Sequence, residues 1–305
     1  MIAAGPVDAL RLIDQGAREG VPGVLVTLVG IEGAASRAIG TQMAVLADGR
    51  QVGSFSGGCV ERAIAAEALE VLAGGHARTV RYGLGSAYID VRLPCGGGID
   101  LLFTPQPDAA LVAEALARLA ARQPATLQLG SRVQRYAPAL RLIALGHGED
   151  LLALVRLARA FGVDVAAYAP QEPGNPGEGI VPLASRLRLP HIDSDPWSAI
   201  VFAFHDRDWE EFLLPQALAL PAFYYGAVGS QRTHKARLDR LRDQQVPAAQ
   251  IDRLRGAIGL IPGTRNPATL ALSILAELVQ DYEACAGHMT DSTRLVWQPG
   301  STVGA

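Results

Sequence analysis

From residue 140 to residue 168 the chain alternates strand-like and helix-like patterns, and few folds accommodate that alternation. Leu140-Arg141-Leu142-Ile143-Ala144-Leu145 is an apolar run broken by one arginine, as expected of a strand covered on both faces. Gly146-His147-Gly148-Glu149-Asp150 turns the chain, and a helical pattern follows over Leu151–Phe161. Gly162 stops the helix, and Val163-Asp164-Val165-Ala166-Ala167-Tyr168 reads as the next strand. Strand, helix and parallel strand in this order make a right-handed crossover unit, so the second half is expected to be a Rossmann-like, doubly wound parallel sheet. The dinucleotide fingerprint is incomplete at this turn. Leu151 stands where a third glycine is due, and Tyr168-Ala169-Pro170 replaces the acid that would hold a ribose. Glu149 and Asp150 also place negative charge where a pyrophosphate would lie. The turn therefore supports the fold more than it supports NAD, which is not expected as a cofactor.

The rest of this half continues the pattern. Residues 171–181, rich in Gly, Pro and Glu, read as a flexible connection. Ser198–Phe204 is a further strand, ending in His205-Asp206-Arg207-Asp208. Ligands in open α/β sheets sit beyond the carboxyl ends of the strands. His205 and Asp206 are therefore placed either to face a ligand or to cap a helix starting near Trp209. The strand Ala222–Val228 exits into Gly229-Ser230-Gln231-Arg232-Thr233-His234-Lys235, ahead of a basic helix over Ala236–Arg242. Glycine, serine and two cations before a helix read as an anion cradle with Gly229, Ser230 and Arg232 in it, or as a solvated basic helix start. Asn266 and Pro267 open a helix over Ala268–Leu278, with Asn266 as its cap. The polar tail after Gly287 is expected to be loose.

The first half offers a different signal. Gly53-Ser54-Phe55-Ser56-Gly57-Gly58-Cys59-Val60-Glu61 packs three glycines, two serines and a thiol between a strand-like run and a helix. Its amides and the helix N-terminus would form a seat for an anion and lower the pKa of Cys59. The bland alternative is a tight turn with a buried cysteine. Pro94-Cys95-Gly96-Gly97 sets a second cysteine against glycines, ahead of the strand Ile99–Phe103. Between Val24–Val29, a buried strand, and the hairpin at Ala47-Asp48-Gly49-Arg50 lies a loop of small residues in which Arg37 is the isolated cation. Its guanidinium would reach a phosphate or carboxylate unhindered, or be solvated. The spacing of the cysteines does not fit structural zinc.

At 305 residues the chain is long enough for two domains, placed at 1–138 and 139–287, with 288–305 as tail. A net charge of -3 argues against nucleic acid as a partner. No apolar run is long enough for a membrane span, and nothing reads as a signal peptide. Cys59, Cys95 and Cys285 do not make a disulfide framework, so a cytoplasmic location with reduced thiols is expected.

Taken together, these elements resemble the XdhC/CoxI family, accessory proteins of molybdenum hydroxylases such as xanthine dehydrogenase. In the first half the likeness rests on Glu32-Gly33-Ala34-Ala35-Ser36-Arg37, Leu46-Ala47-Asp48-Gly49-Arg50, Ser56-Gly57-Gly58-Cys59-Val60-Glu61 and Pro94-Cys95-Gly96-Gly97. In the second half it rests on Tyr225-Gly226-Ala227-Val228-Gly229-Ser230-Gln231-Arg232, and on Ile258-Gly259-Leu260 with Ser273-Ile274-Leu275-Ala276-Glu277. The resemblance implies an α/β protein with an N-terminal α+β domain of XdhC/CoxI type ahead of the Rossmann-like half. It implies a non-catalytic chaperone that binds the molybdenum cofactor transiently, as molybdopterin or its cytosine dinucleotide form, and delivers it to the large subunit of an apo molybdenum hydroxylase. A cysteine desulfurase, cofactor biosynthesis proteins and a second copy of the chain are the implied partners. The expected cofactor-binding residues are Arg37, Ser56, Gly57, Gly58, Cys59, Cys95, Gly96, Gly146, Gly148, His205, Gly229, Ser230 and Arg232, with Cys59 nearest the molybdenum. The alternative is an NAD(P)-dependent oxidoreductase or nucleotide-binding protein built on the second half; a third reading is a thiol redox regulator using Cys59 and Cys95.

Overall fold

The computed structural model describes residues 5–58, 60–86, 96–170, 179–204 and 207–290. The chain divides into two compact units. One comprises residues 5–119 and 124–137. The other comprises Ala120–Gln123 and Pro138–Cys285.

The first unit runs α1 (Pro6–Glu19), β1 (Gly23–Glu32), β2 (Gln42–Leu46), β3 (Gln51–Val52), α2 (Glu61–Gly74), β4 (Arg78–Gly83), β5 (Gly98–Pro105), α3 (Ala109–Ala120), β6 (Ala125–Leu129) and β7 (Arg132–Tyr136). Its five-stranded sheet is antiparallel in the order β3-β2-β1-β5-β4. Both faces are covered, which is why β1 reads as a continuous apolar run although its neighbours are antiparallel. Val24, Val26 and Leu28 point to the α2 side, against Ile64, Ala68 and Val71. Leu25 points the other way, to Leu10 and Ile13 of α1, Val112 of α3 and the β6–β7 hairpin. A buried chain of polar groups fastens that hairpin: Tyr136 Oη donates to Gln42 Oε1 (2.9 Å), and Gln42 Nε2 donates to Thr27 Oγ1 (2.9 Å).

The register of β1 on β5 shifts between Leu28 and Gly30. A Cβ at Gly30 would fall 2.5 Å from Asp100 Oδ2, so the bulge depends on glycine. Asp100 holds Arg81 through two bonds of 2.8 and 3.0 Å, and Arg81 reaches Glu32 at 2.6 Å. This network cross-braces β1, β5 and β4 where they leave the sheet.

The second unit runs β8 (Arg141–Gly146), α4 (Gly148–Ala160), β9 (Asp164–Pro170), β10 (Ile180–Leu183), β11 (Ser198–Ala203), α5 (Arg207–Leu218), β12 (Tyr224–Ala227), α6 (Gln231–Asp243), α7 (Ala248–Ile251), β13 (Leu254–Gly256) and α8 (Pro267–Thr290). All six strands are parallel, in the order β10-β9-β8-β11-β12-β13. The chain winds outward from β8, returns, and winds the other way from β11, so the ligand crevice of such a sheet lies between the exits of β8 and β11. Leu142 and Ala144 face the core under α4 and α8, while Ile143 and Leu145 face the core under α5 and α7.

Three elements depart from the sequence reading. β10 lies at the end of the stretch expected to be a connection; it is an edge strand, where Pro182 is tolerated because no outer neighbour needs its missing N–H. α6 starts at Gln231, five residues before Ala236, because Ser230 caps it. β13 is too short for its periodicity to show. The strand expected over Tyr88–Leu93 lies outside the described residues. Among the described residues, no helix is long and apolar enough to cross a membrane.

Candidate functional site

At one end of the first unit, three connections come together. The segment after β1 meets the segment before β5 backbone to backbone: a Cβ on Gly97 would land on the Ala34 carbonyl oxygen, and one on Gly33 would lie 3.5 Å from Gly97 Cα. From the same loop, Arg37 reaches the bend before α2. Its Nε donates to the Ser54 carbonyl (3.3 Å) and its Nη1 to the Ser36 carbonyl (3.0 Å), while the side chain stays exposed. Arg37 and the glycine-rich bend are thus neighbours, although 17 residues separate Arg37 from Ser54.

The bend itself is built around Glu61, the first residue of α2. Phe55 is 3% exposed and anchors the bend in the core, and Gly53, Gly57 and Gly58 all have positive φ. Glu61 Oε1 accepts from Ser54 Oγ (2.7 Å), Phe55 N (3.0 Å), Ser56 N (2.8 Å) and Ser56 Oγ (3.2 Å). Its Oε2 accepts from Ser56 Oγ (3.0 Å), Gly58 N (2.7 Å) and Val60 N (3.2 Å). Gly57 N turns to Ser54 Oγ at 2.9 Å. Burial alone would raise the Glu61 carboxyl, but the amide and hydroxyl donors of Ser56 and Ser54 outweigh it and hold the pKa at about 2.

This corrects one expectation. The anion seat read from the glycines exists, but the protein's own carboxylate fills it. The amides of Phe55, Ser56, Gly58 and Val60 are committed to Glu61, and so is the positive end of α2. A phosphate at this end would be met first by Arg37. Ser56 is half-buried, and Gly57, Gly58 and Gly96 are exposed. Cys59 and Cys95 lie outside the described residues.

In the second unit, the exits of β8 and β11 nearly touch: a Cβ on Gly146 would strike the Ala203 carbonyl. His147 precedes α4 in an extended conformation, and Gly148 has φ +72°. Glu149 and Asp150 occupy the first turn of α4 itself. Flat side chains line up beside this crevice. The His147 and Phe204 rings are 5.7 Å apart, Phe204 and Trp209 stack at 6.2 Å, and the Arg186 guanidinium lies 5.3 Å from the Trp209 ring. His205 and Asp206 lie outside the described residues.

The exit of β12 is organised by α6. Gly229 has φ +131°, and Ser230 Oγ accepts from Thr233 N at 3.1 Å. Ser230 and Arg232 are exposed. Behind them, Arg237 is buried, its Nε and Nη2 paired with Glu210 of α5 at 2.9 and 2.8 Å. The His234 ring lies where a side chain on Gly256 would be, so β13 ends on glycine. Burial, and then the nearby Arg237, push the His234 pKa down.

Sequence reasoning missed Glu61, Glu210 and Arg237. An acid opening a helix directly after a Ser/Gly bend is the signal that marks Glu61 as a capping group. Nothing in the basic pattern of 232–242 singles out Arg237 as the cation that turns inward. The second-half elements Ile258-Gly259-Leu260 and Ser273–Glu277 are structural. Glu277 accepts from Tyr224 Oη (2.8 Å) and Gly259 N (2.5 Å), and Ser273 Oγ accepts from Ile261 N (2.7 Å), strapping the loop to α8.

Residues 142–278 match the model of the XdhC Rossmann domain, and residues 17–83 match that of the XdhC and CoxI family. Over 301 residues the chain is 34% identical to the molybdenum cofactor insertion chaperone PaoD of Escherichia coli K12, covering 90% of each protein. The chain belongs to the XdhC and CoxI family. Another relative, the uncharacterized protein YqeB of the same organism, is 27% identical over 252 residues, which is 78% of this chain but 40% of YqeB. The XdhC-type fold also superimposes on a crystal structure described as a xanthine dehydrogenase from Bacillus halodurans, with a TM-score of 0.71 over 92% of this chain and 96% of that one. At 22% identity that likeness concerns the fold alone.

Proposed function

We propose that this protein is a molybdenum cofactor chaperone that holds the cofactor, shields it, and hands it to an apo molybdenum hydroxylase of the xanthine dehydrogenase type. The observation that carries the reading is the 34% identity to PaoD along 90% of both chains, which spans the bend, the Arg37 loop and the Rossmann-like unit alike. The cargo is an anionic dithiolene with a phosphate, so its carrier needs soft sulfur for the metal side and cations for the phosphate. Cys59 supplies the sulfur nearest the molybdenum, with Cys95 and Gly96 on the second cysteine loop, and with half-buried Ser56 and the exposed Gly57 and Gly58 beside Arg37. In the second unit, the proposed cofactor-binding positions are Gly146, Gly148, His205, Gly229, Ser230 and Arg232.

A cysteine desulfurase that adds the terminal sulfido ligand, the enzymes that make the cofactor, and a second copy of the chain complete the proposed set of partners. The oxidoreductase reading gains no support from the geometry, since α4 opens with two carboxylates where a dinucleotide would place its phosphates.

The test is to purify the chain from a host that makes molybdopterin, oxidise the sample, and measure the fluorescent pterin. The parent should carry pterin and Cys59→Ala should carry several-fold less. A parent free of pterin would refute the chaperone reading, and an equally loaded Cys59→Ala would remove that thiol from the site.

A further inference from the structure

We propose that the N-terminus of α6, not the β8–α4 turn or the cysteine bend, is the seat for a phosphoryl group in this protein, with Arg237 as its buried support. The proposal rests on the chaperone reading for its cargo and deepens it by naming where the phosphate end is held.

Charge separates the candidates. Of the helices that follow strands of the parallel sheet, α8 opens on Pro267 with the amides of Ala268 and Thr269 already held by Asn266 Oδ1, which leaves α4, α5 and α6. α4 opens with Glu149 and Asp150, and α5 with Asp208 and Glu210. α6 has no acid in its first turn. It carries Arg232 there instead, with Lys235 directly after, both exposed. The first amides of a helix have no acceptor within it. Ser230 Oγ takes the N–H of Thr233, which leaves those of Gln231 and Arg232 at an exposed end with the helix dipole behind them. Ahead of α2, by contrast, the loop amides of Ser56 and Gly58 are taken by Glu61.

A second, independent observation concerns Arg237. Its residue is 3% exposed, and Nε and Nη2 bind Glu210. The remaining Nη2 hydrogen goes to the carbonyl of Val228 (3.0 Å), at the entrance to the Gly229-Ser230 turn. Nη1 is buried and has no hydrogen-bond partner. A guanidinium is a planar fork, so one Nη1 hydrogen runs parallel to the Nη2 hydrogen that Val228 accepts. The unused donor therefore points to the same turn. A buried unmet donor is destabilising, and a phosphoryl oxygen, directly or through one water, would satisfy it. Gly229, at φ +131°, lets the backbone approach a ligand there.

The experiment is a calorimetric titration of the full chain with inorganic phosphate and with pyrophosphate. Ser230→Asp is the decisive variant. Aspartate caps a helix as well as serine does, so α6 should stay folded while a carboxylate occupies the seat. Affinity should fall at least about tenfold, the effect of one charge-assisted contact, with an unchanged melting temperature. Arg232→Ala should weaken binding similarly, and Arg237→Lys, which keeps a cation for Glu210 but loses the spare donor, should weaken it several-fold. Failure of the parent to bind either anion at millimolar concentration overturns the seat, as does Ser230→Asp binding like the parent. So does loss of binding in His147→Asp with retention in Ser230→Asp, which would move the phosphate to α4. These titrations need no molybdenum cargo, so their failure leaves the chaperone reading to its own pterin test.

Discussion

Replacing Glu61 by glutamine removes the charge on which the cysteine-bearing bend is folded. Moving the carboxyl from an ordinary value near 4.5 to about 2 corresponds to roughly 3 kcal/mol of preference for the native bend, and partial solvent screening trims this to about 2. Glutamine retains one acceptor oxygen but, with its NH2 group in place of Oε2, takes away the acceptor of Gly58 N, while Val60 N keeps Ser56 Oγ; the further cost is about 1 kcal/mol. The expected total is about 3 kcal/mol at neutral pH, or roughly 100-fold faster local opening. Hydrogen exchange read by mass spectrometry on the peptide spanning 53–61 measures this directly. The pKa in the folded state is lowered, so the stabilisation is full above about pH 4.5 and disappears as pH falls toward 2. Parent and variant should therefore converge on acidification. Exchange of Phe55, Ser56 and Gly58 that is unchanged in the variant at pH 7, or a difference that persists undiminished down to pH 2, would refute the claim that the carboxylate organises the bend.

Two further outcomes follow from packing. Gly97→Ala pushes a methyl group into the Ala34 carbonyl and should cost about 2 kcal/mol or more, separating the second cysteine loop from the Arg37 loop; a lowered melting temperature together with reduced pterin content would show it. Glu210→Gln leaves Arg237 buried without its counter-charge and should destabilise the second unit by about 3–5 kcal/mol in urea unfolding followed by tryptophan fluorescence, whereas the Glu210→Leu/Arg237→Met double variant should recover much of the loss.

The fold was legible where burial is two-sided. β1, β8 and β11 are mostly apolar rather than alternating because helices or a hairpin cover both faces of their sheets, and that pattern survives in sequence. Legibility failed where polar residues carry structure. α6 looked like a loop before a helix because Gln231, Arg232, Thr233, His234 and Lys235 show no apolar period, although His234 and Arg237 turn inward. The convergence of Arg37, the bend and Gly97 could be suspected from small residues but not built, since it depends on backbone contacts between distant segments. The anion seat at the bend was legible as a seat; its occupant was not, because no periodicity reveals that a side chain folds back over its own helix start.

The distribution of acids and bases along the parallel sheet has a consequence for the orientation of a bound anion. β8, β11 and β12 lie side by side, so α4, α5 and α6 begin in a row whose electrostatic sign runs from negative to positive. An elongated guest with its charge at one end would feel a torque in that gradient and settle in a single direction, with its uncharged ring system toward the His147 and Phe204 flank. A protein that fixes the heading of a bound molecule leaves the same end of it outward each time.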